Sequence, residues 1–383
     1  MRLHSVLPAL TLTLISAPSF AAMNTSEITQ SGDGNTAELM QTGNSNQAIQ
    51  TQLGTNSFQR IEQNGDTHYA SVYQAERTED AEATIVQTGD NHSVDIYQGS
   101  GSSVDITQTG SANVYNYNGE GSQYASSTQD GTNNIHTINQ SGSNYSAALT
   151  TSIGNGNAIT LNQDAGGSFG GFNVTQVGDN NAITATQRDY SVQILGDQRG
   201  NANTVVIEQA GVGPTSLGGS TVVGFDQQGD TNIINVTQSL SADSDITQIG
   251  NANNVSAVQS GNGGDMFSPY ARTNLTSTQT GDNNTLTVYQ SAYEGIADIA
   301  ANQEGNGNTM DLVQESVINS SLDVAQLGDN NYMSITQRQT VNDAFQLTQQ
   351  GSGLSVTTER GGQDNQAVIA QTGLSNSVSL IQQ

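Results

Sequence analysis

The chain has 383 residues, of which 33% are hydrophobic, 42 are Gly and none is Cys or Trp. Its formal net charge is −27, from 35 acidic residues against 8 basic ones, all of them Arg. These figures exclude a disulfide-stapled secreted domain and a nucleic-acid binder, which needs a basic patch to neutralise phosphates; they also leave little apolar side chain for an ordinary globular core.

The first 21 residues carry Arg2, an apolar run from Val6 to Ile15, and small residues around Ser19 and Ala21. This is the layout of a secretory signal peptide cleaved after Ala21 or Ala22. The apolar run is too short to span a bilayer and no other segment approaches the required length, so export without membrane insertion is expected. Residues 22–29 read as a short leader, and residues 30–383 as a single repeat domain.

The repeat is Q-x-G-x-x-N-x-Ψ-x-x-x-Q, with Ψ apolar. Copies open at Gln41, Gln87, Gln129, Gln176, Gln198, Gln227, Gln248, Gln279, Gln303, Gln326 and Gln371. The Asn place holds Asn46, Asn134, Asn157, Asn181, Asn203, Asn232, Asn253, Asn284, Asn308, Asn331 and Asn376. The closing place holds Gln98, Gln140, Gln163, Gln187, Gln209, Gln238, Gln259, Gln290, Gln314, Gln337 and Gln382. Weaker copies open at Gln63 (His68 in the Asn place), Gln108 (Gly119 in the closing place), Ser152 (in the opening Gln place) and Gln349 (Leu354 and Arg360 in the Asn and closing places). A fixed period of this kind marks a repeat architecture before any other reading.

From Asn to closing Gln the residues alternate. Asn181, Ile183, Ala185 and Gln187 fall on one face and small or polar residues on the other, the period of a half-buried strand. A second strand precedes each opening Gln, as in Val104 to Gln108. The Gly two places after the opening Gln, at Gly43, Gly89, Gly178, Gly281, Gly328 and Gly373, supplies the positive φ that a tight reversal needs. The sequence therefore predicts an all-β single β-solenoid: two strands and two arcs per turn of roughly 22 residues, in about fifteen turns. A hairpin meander is the rival, but it gives no reason to keep identical residues at that period.

In such a coil, like residues stack about 4.8 Å apart. An amide carries both donor and acceptor, so it can bond its copies above and below, whereas a column of like charges could not. The Gln and Asn columns are thus the candidate assembly residues, with Val, Ile, Leu and Met between them as a thin dry core. Segments 210–226 and 260–278 lengthen the second arc with Gly and Pro and are expected to bulge as loops, and the arc 75–86 is acidic. Asp follows the arc Gly at Asp66, Asp90, Asp179, Asp230, Asp282 and Asp329. Two Asp one turn apart repel by roughly 1 kcal/mol in water, which slows stacking as a gatekeeper would, though arcs also favour Asp on conformational grounds. The final strand, Asn376 to Gln382, shows no helical or charged cap, so both ends are expected to be open to another copy.

No cofactor or metal site is expected. His4 lies in the signal peptide, and His68, His92 and His136 replace ladder or apolar positions, which suits satisfied substitutes better than catalytic bases. The calcium-roll-like stretch Gly261 to Asp265 occurs once, where such rolls need tandem copies. The outward Thr column before the opening Gln is too interrupted for an ice-binding face.

The pattern resembles that of curlins, the subunits of curli, the extracellular amyloid of Gram-negative biofilms. The family pattern Q-x-G-x-x-N-x-A-x-x-x-Q stands literally in Gln30-Gly32-Asn35-Ala37-Gln41 and Gln41-Gly43-Asn46-Ala48-Gln52. The resemblance covers essentially the whole chain after the signal peptide, as an unusually long member. It implies passage through the periplasm and a dedicated outer-membrane secretion channel. It also implies homopolymeric cell-surface fibres started by a nucleator subunit, and a matrix role in adhesion and aggregation. The role of major subunit, of nucleator, and of a capped monomeric repeat adhesin stay open at this point.

Overall fold

A computed structural model describes residues 11–15, 23–76, 78–99, 101–142, 146–164, 170–188, 192–210, 221–261 and 271–382. The chain falls into two compact units, Met1–Asn173 and Val174–Gln383, both parallel β-solenoids, with about fourteen turns between them. Among the described residues there is no helix.

In the first unit, each strand pairs with the strand one turn on. Phe58–Asp66 lies parallel to Glu82–Asp90 with Gln63 opposite Gln87, and Tyr69–Gln74 lies parallel to Ser93–Gln98 with Gln74 opposite Gln98. In the second unit, Ala182–Arg188, Thr204–Ala210 and Ile233–Ser239 stack in the same way, placing Gln187, Gln209 and Gln238 in one column. These parallel ladders rule out a hairpin meander, which pairs neighbouring strands antiparallel.

The alternating pattern works because a register slip of one residue would turn the whole inward set outward. Ile183, Val205, Ile234 and Val255 are buried in one column, and the chain neighbours on either side of each are not. Each fully buried aliphatic side chain contributes roughly 1.5–3 kcal/mol. The core is only one side chain deep, so the polar columns flanking it must also be satisfied.

Several boundaries differ from expectation. The segment read as a leader already contains coil, since Thr25–Gln30 pairs with Gln47–Gln52. Glu82 to Val86, placed in an acidic arc, belong to the strand Glu82–Asp90, because Ala83 and Ile85 alternate inward. Flanks of the two inserts are strand as well: Thr221–Gln228 and Arg272–Thr280. Residues 211–220 and 262–270 of the loops expected at 210–226 and 260–278 lie outside the described residues, as does the segment read as a signal peptide apart from Thr11–Ile15, whose backbone pairs in parallel with Thr36–Thr42. Further on, Thr285–Glu304 and Thr309–Leu327 run through the second arc as strand, with register shifts between Gln290 and Ala297. Ala271, Ala292, Ala297 and Val317 form a small apolar cluster there, giving these arcs a core of their own.

Candidate functional site: the stacked amide columns

The opening Gln side chains form a hydrogen-bonded column in each unit. In the first unit Gln41 Nε2 donates to Gln63 Oε1 at 2.8 Å, and the chain continues through Gln87 and Gln108 to Gln129 at 2.9, 3.0 and 2.7 Å. In the second, Gln176, Gln198, Gln227, Gln248, Gln279, Gln303, Gln326, Gln349 and Gln371 are joined by bonds of 2.8 to 3.0 Å. All bonds point the same way: each Nε2 donates to the next turn's Oε1. The second Nε2 proton reaches the facing sheet, as from Gln303 to the Thr285 carbonyl at 3.0 Å and from Gln326 to that of Thr309 at 3.1 Å. One amide thus ties turn to turn and sheet to sheet, which explains Gln in place of Leu in a thin core.

The closing column is built likewise. Gln187, Gln209, Gln238, Gln259, Gln290, Gln314 and Gln337 are linked at 2.9 to 3.2 Å in the second unit. In the first, Gln74 donates to Gln98 at 3.1 Å and Gln140 to Gln163 at 2.8 Å. Gln63, Gln108 and Gln349 hold full rungs although their copies of the motif are weak, and Gln30 Nε2 donates to Gln52 Oε1 at 2.6 Å. The Gly two places after Gln63, Gln108 and Gln349 was the signal for them.

The Asn column works differently. The expected side-chain stacking occurs at Asn203, whose Nδ2 donates to Asn181 Oδ1 at 3.1 Å, but the recurring bonds run to backbone. Asn253 Oδ1 accepts the Asn284 N–H at 3.0 Å, while Asn253 Nδ2 donates to the Gly281 carbonyl one turn on at 2.7 Å. Asn232, Asn284 and Asn308 repeat the second bond to Gly250, Gly305 and Gly328 at 2.7 to 2.8 Å. Asn is one methylene shorter than Gln, so from this place it reaches the arc backbone and clamps successive arcs together.

The arc itself has two positions of positive φ. At Gly89, φ is 121°, and a Cβ would run into the Gly110 carbonyl oxygen of the next turn, so conformation and close approach both require Gly. The second position, immediately before the Asn, was not anticipated. It is left-handed at Thr67, Asn91, Asn180, Thr231, Ala252 and Asn283, with φ between 54° and 60°. Gly307 and Gly353 fill it elsewhere, and the run of Asn and Gly there was the available signal. For Ala, the left-handed region costs roughly 1–2 kcal/mol, partly offset by the extra unfolded-chain freedom of Gly. Ala252→Gly is therefore expected to stabilise the second unit by about 0.5–1 kcal/mol, read as a higher urea midpoint; a lower midpoint would show that the strain is relieved some other way.

At departures from the motif neighbouring side chains fill the room, and two of the three leave a polar atom of the adjoining rung without a partner. Where Gly119 replaces the closing Gln, the Tyr117 hydroxyl occupies the room a side chain at 119 would need, and Gln140 Oε1 above it has no donor. Where Ser152 replaces the opening Gln, its Oγ lies 2.7 Å from His136 Nε2, and His136 Nδ1 lies 2.7 Å from Ser127 Oγ and 3.1 Å from Thr150 Oγ1. Complete burial pushes the His136 imidazole down to about 3, so it stays neutral. Near the end of the second unit, Arg360 occupies the closing column and donates from Nε to Gln382 Oε1 at 2.8 Å. A guanidinium accepts no bond, so Gln337 Nε2 finds no acceptor there. Arg360 lies over the Phe345 ring at 5.0 Å and 4.0 Å from the buried Asp343 carboxylate; burial lowers the affinity of the one for its proton and raises that of the other.

On the arc surface of the second unit, Asp and Asn alternate: Asp179, Asn201, Asp230, Asn251, Asp282, Asn306, Asp329. Each Asp of the last three accepts from the preceding Asn, with its backbone N–H at 2.7 to 2.8 Å and its Nδ2 at 3.0 to 3.1 Å. Like charges are thereby held two turns apart, where repulsion in water is about 0.4 kcal/mol, half its one-turn value. Among the described residues no group of three or more His, Cys, Asp or Glu is arranged to hold a metal ion.

Coils whose turns repeat the same interior amides define a structural β-solenoid, built to bond one turn to the next. Residues 78–110 match the family model of the curlin associated repeat, and in that stretch the chain is similar in sequence to curlins. That stretch carries the strands Glu82–Asp90 and Ser93–Gln98 and most of Ser103–Ser111. No curated protein matches the chain.

Proposed function

We propose that this protein is a secreted structural subunit that adds to copies of itself and forms extracellular, amyloid-like fibres of a biofilm matrix, supporting adhesion and aggregation. The observation that carries this reading is the one-directional Gln ladder: a terminal turn offers Nε2 donors on one face and Oε1 acceptors on the other. A turn from a second copy would meet the partners that each interior turn already has. The curlin associated repeat supports the cell-surface fibre, and the segment 1–21 serves as the export signal. A nucleator subunit and an outer-membrane channel are the further partners this reading calls for. Its role is structural, carried by the amide columns and the backbone ladder.

The test follows thioflavin fluorescence of the chain from Ala22, diluted out of denaturant with and without preformed seeds. A lag that seeds abolish, with fibres diffracting near 4.8 Å, is expected; a soluble β-rich monomer whose signal ignores concentration would favour a monomeric adhesin. Replacing Gln371, Asn376 and Gln382 together by Ala is expected to slow seeded growth about tenfold or more, since each lost hydrogen bond contributes about 1 kcal/mol. Growth of the triple variant at the unmodified rate would remove the amide pairing from the mechanism.

A further inference from the structure

His68 and His92 stand in consecutive turns of the column held otherwise by Asn46, Asn113 and Asn134. Their rings are parallel, 5.1 Å between centroids and 3° between planes. The backbone bonds continue through them without a break. The His68 N–H donates to Asn46 Oδ1 at 2.9 Å, the His92 N–H to His68 Nδ1 at 3.3 Å, the Asn113 N–H to His92 Nδ1 at 3.2 Å, and the Asn134 N–H to Asn113 Oδ1 at 2.9 Å. On the other side of the ring, His92 Nε2 lies 3.0 Å from the Thr88 carbonyl, as Asn46 Nδ2 lies 3.1 Å from that of Thr42. The carbonyls of Asn64 and Gly89 lie beside the His68 ring, whose buried Nε2 makes no hydrogen bond of normal length.

Those surroundings set the tautomer. A backbone N–H only donates, so Nδ1 of each ring presents a lone pair to the next turn's N–H and the proton of the neutral ring sits on Nε2, which at His92 faces the Thr88 carbonyl. A neutral imidazole therefore keeps the acceptor half of the Asn clamp, with Nδ1 in place of Oδ1. A protonated one does not: its Nδ1–H would face a backbone N–H, donor against donor, at two successive rungs, with the second cation stacked on the first.

We propose that the stacked His68–His92 pair is an acid-sensitive clasp of the first unit: neutral rings lock the turns from Asn46 to Asn113 together, and protonated rings release them. The charged and titratable groups that face the pair are the arc carboxylates Asp66 and Asp90 and each imidazole toward the other; Asn46, Asn113 and the facing carbonyls are neutral. The two Asp favour the charged form, but burial outweighs them and lowers both imidazoles. Because the folded values lie below the ordinary value of 6.5, the clasp is intact above that pH and weakens as pH falls through it toward the folded values. The chain's 4 His stand at 4, 68, 92 and 136, so the second unit contains none and lacks this response. The clasp is a property of one chain and does not depend on fibre formation.

The experiment compares the full chain with His68→Asn/His92→Asn, which restores Asn at both rungs and leaves His136 in place. Protection of the amides at 92 and 113 from hydrogen exchange is measured at pH 7.5 and pH 5.0. The ratio of wild-type to variant protection is expected near unity at pH 7.5 and to fall about tenfold or more at pH 5.0, one factor of ten per pH unit of linkage. Equal protection of the two proteins at pH 5.0 would overturn the clasp and assign any acid response to carboxylates or His136. An independent reading needs no variant: nitrogen chemical shifts of the wild-type imidazoles at pH 7.5 should report the Nε2–H tautomer, and an Nδ1–H tautomer would refute the proposal.

Discussion

Gly281→Ala is expected to lower the stability of the second unit by about 3–5 kcal/mol. Two costs combine. The backbone at 281 has φ of 107°, outside the region that L side chains adopt, and the added Cβ would collide with the Gly305 carbonyl of the next turn. Relief requires the turns to separate, which breaks the Asn284 Nδ2 bond to that carbonyl at 2.8 Å and the Gly305 N–H bond to the Thr280 carbonyl at 2.9 Å. Gly353→Ala is the matched control. Its φ is 65° and the nearest atom to an added Cβ is Ser375 Oγ at 3.6 Å, so conformational strain alone applies, roughly 1–2 kcal/mol. Urea midpoints of the two variants decide the matter: equal losses would mean that the arcs are not packed carbonyl against Cα.

Gln279→Glu is expected to cost about 3–5 kcal/mol at pH 7, more than Gln279→Leu at about 2–3 kcal/mol. Gln279 Oε1 accepts from Gln248 Nε2 at 2.8 Å, and its Nε2 donates to Gln303 Oε1 at 2.8 Å and to the Asn254 carbonyl at 3.2 Å. Leu leaves those partners unmet, whereas a carboxylate also buries a charge against two acceptors. Burial raises the folded-state pKa of the introduced carboxyl above its unfolded value, so its penalty is small below about pH 4.3 and grows as pH rises through the folded value. The protonated acid regains one donor for Gln303. Denaturation at pH 4 and pH 7 should therefore show a pH-dependent gap between the Glu and Leu variants; a constant gap would mean the rung is wet.

Much of this architecture was legible because two periods coincide in the sequence. Alternation over Asn181 to Gln187 assigns an inward face, and the recurrence of Gln198, Gln227 and Gln248 at like places requires a chain that returns above itself. Neither depends on distant contacts, so neither needed the structure. The hydrogen-bonding roles of the short side chains did need it. Asn253 and Gln259 carry the same amide, yet the first clamps the Gly281 backbone and the second bonds the Gln290 side chain at 2.9 Å, because one methylene decides what an amide can reach.

The departures from the motif mark the same boundary. Gly119 and Ser152 look like defects when read along the chain, but the Tyr117 hydroxyl fills the first gap and His136 bonds across the second. His68 and His92 read as replacements for Asn, and only their stacking shows each Nδ1 accepting the next turn's N–H. Sequence by itself determined the period, the inward columns and the arcs, since strand alternation and glycine backbone freedom act within a few residues. Tertiary structure alone decided which atoms pair between turns and which substitutions compensate, because those depend on distances of a few tenths of an ångström between residues some twenty positions apart.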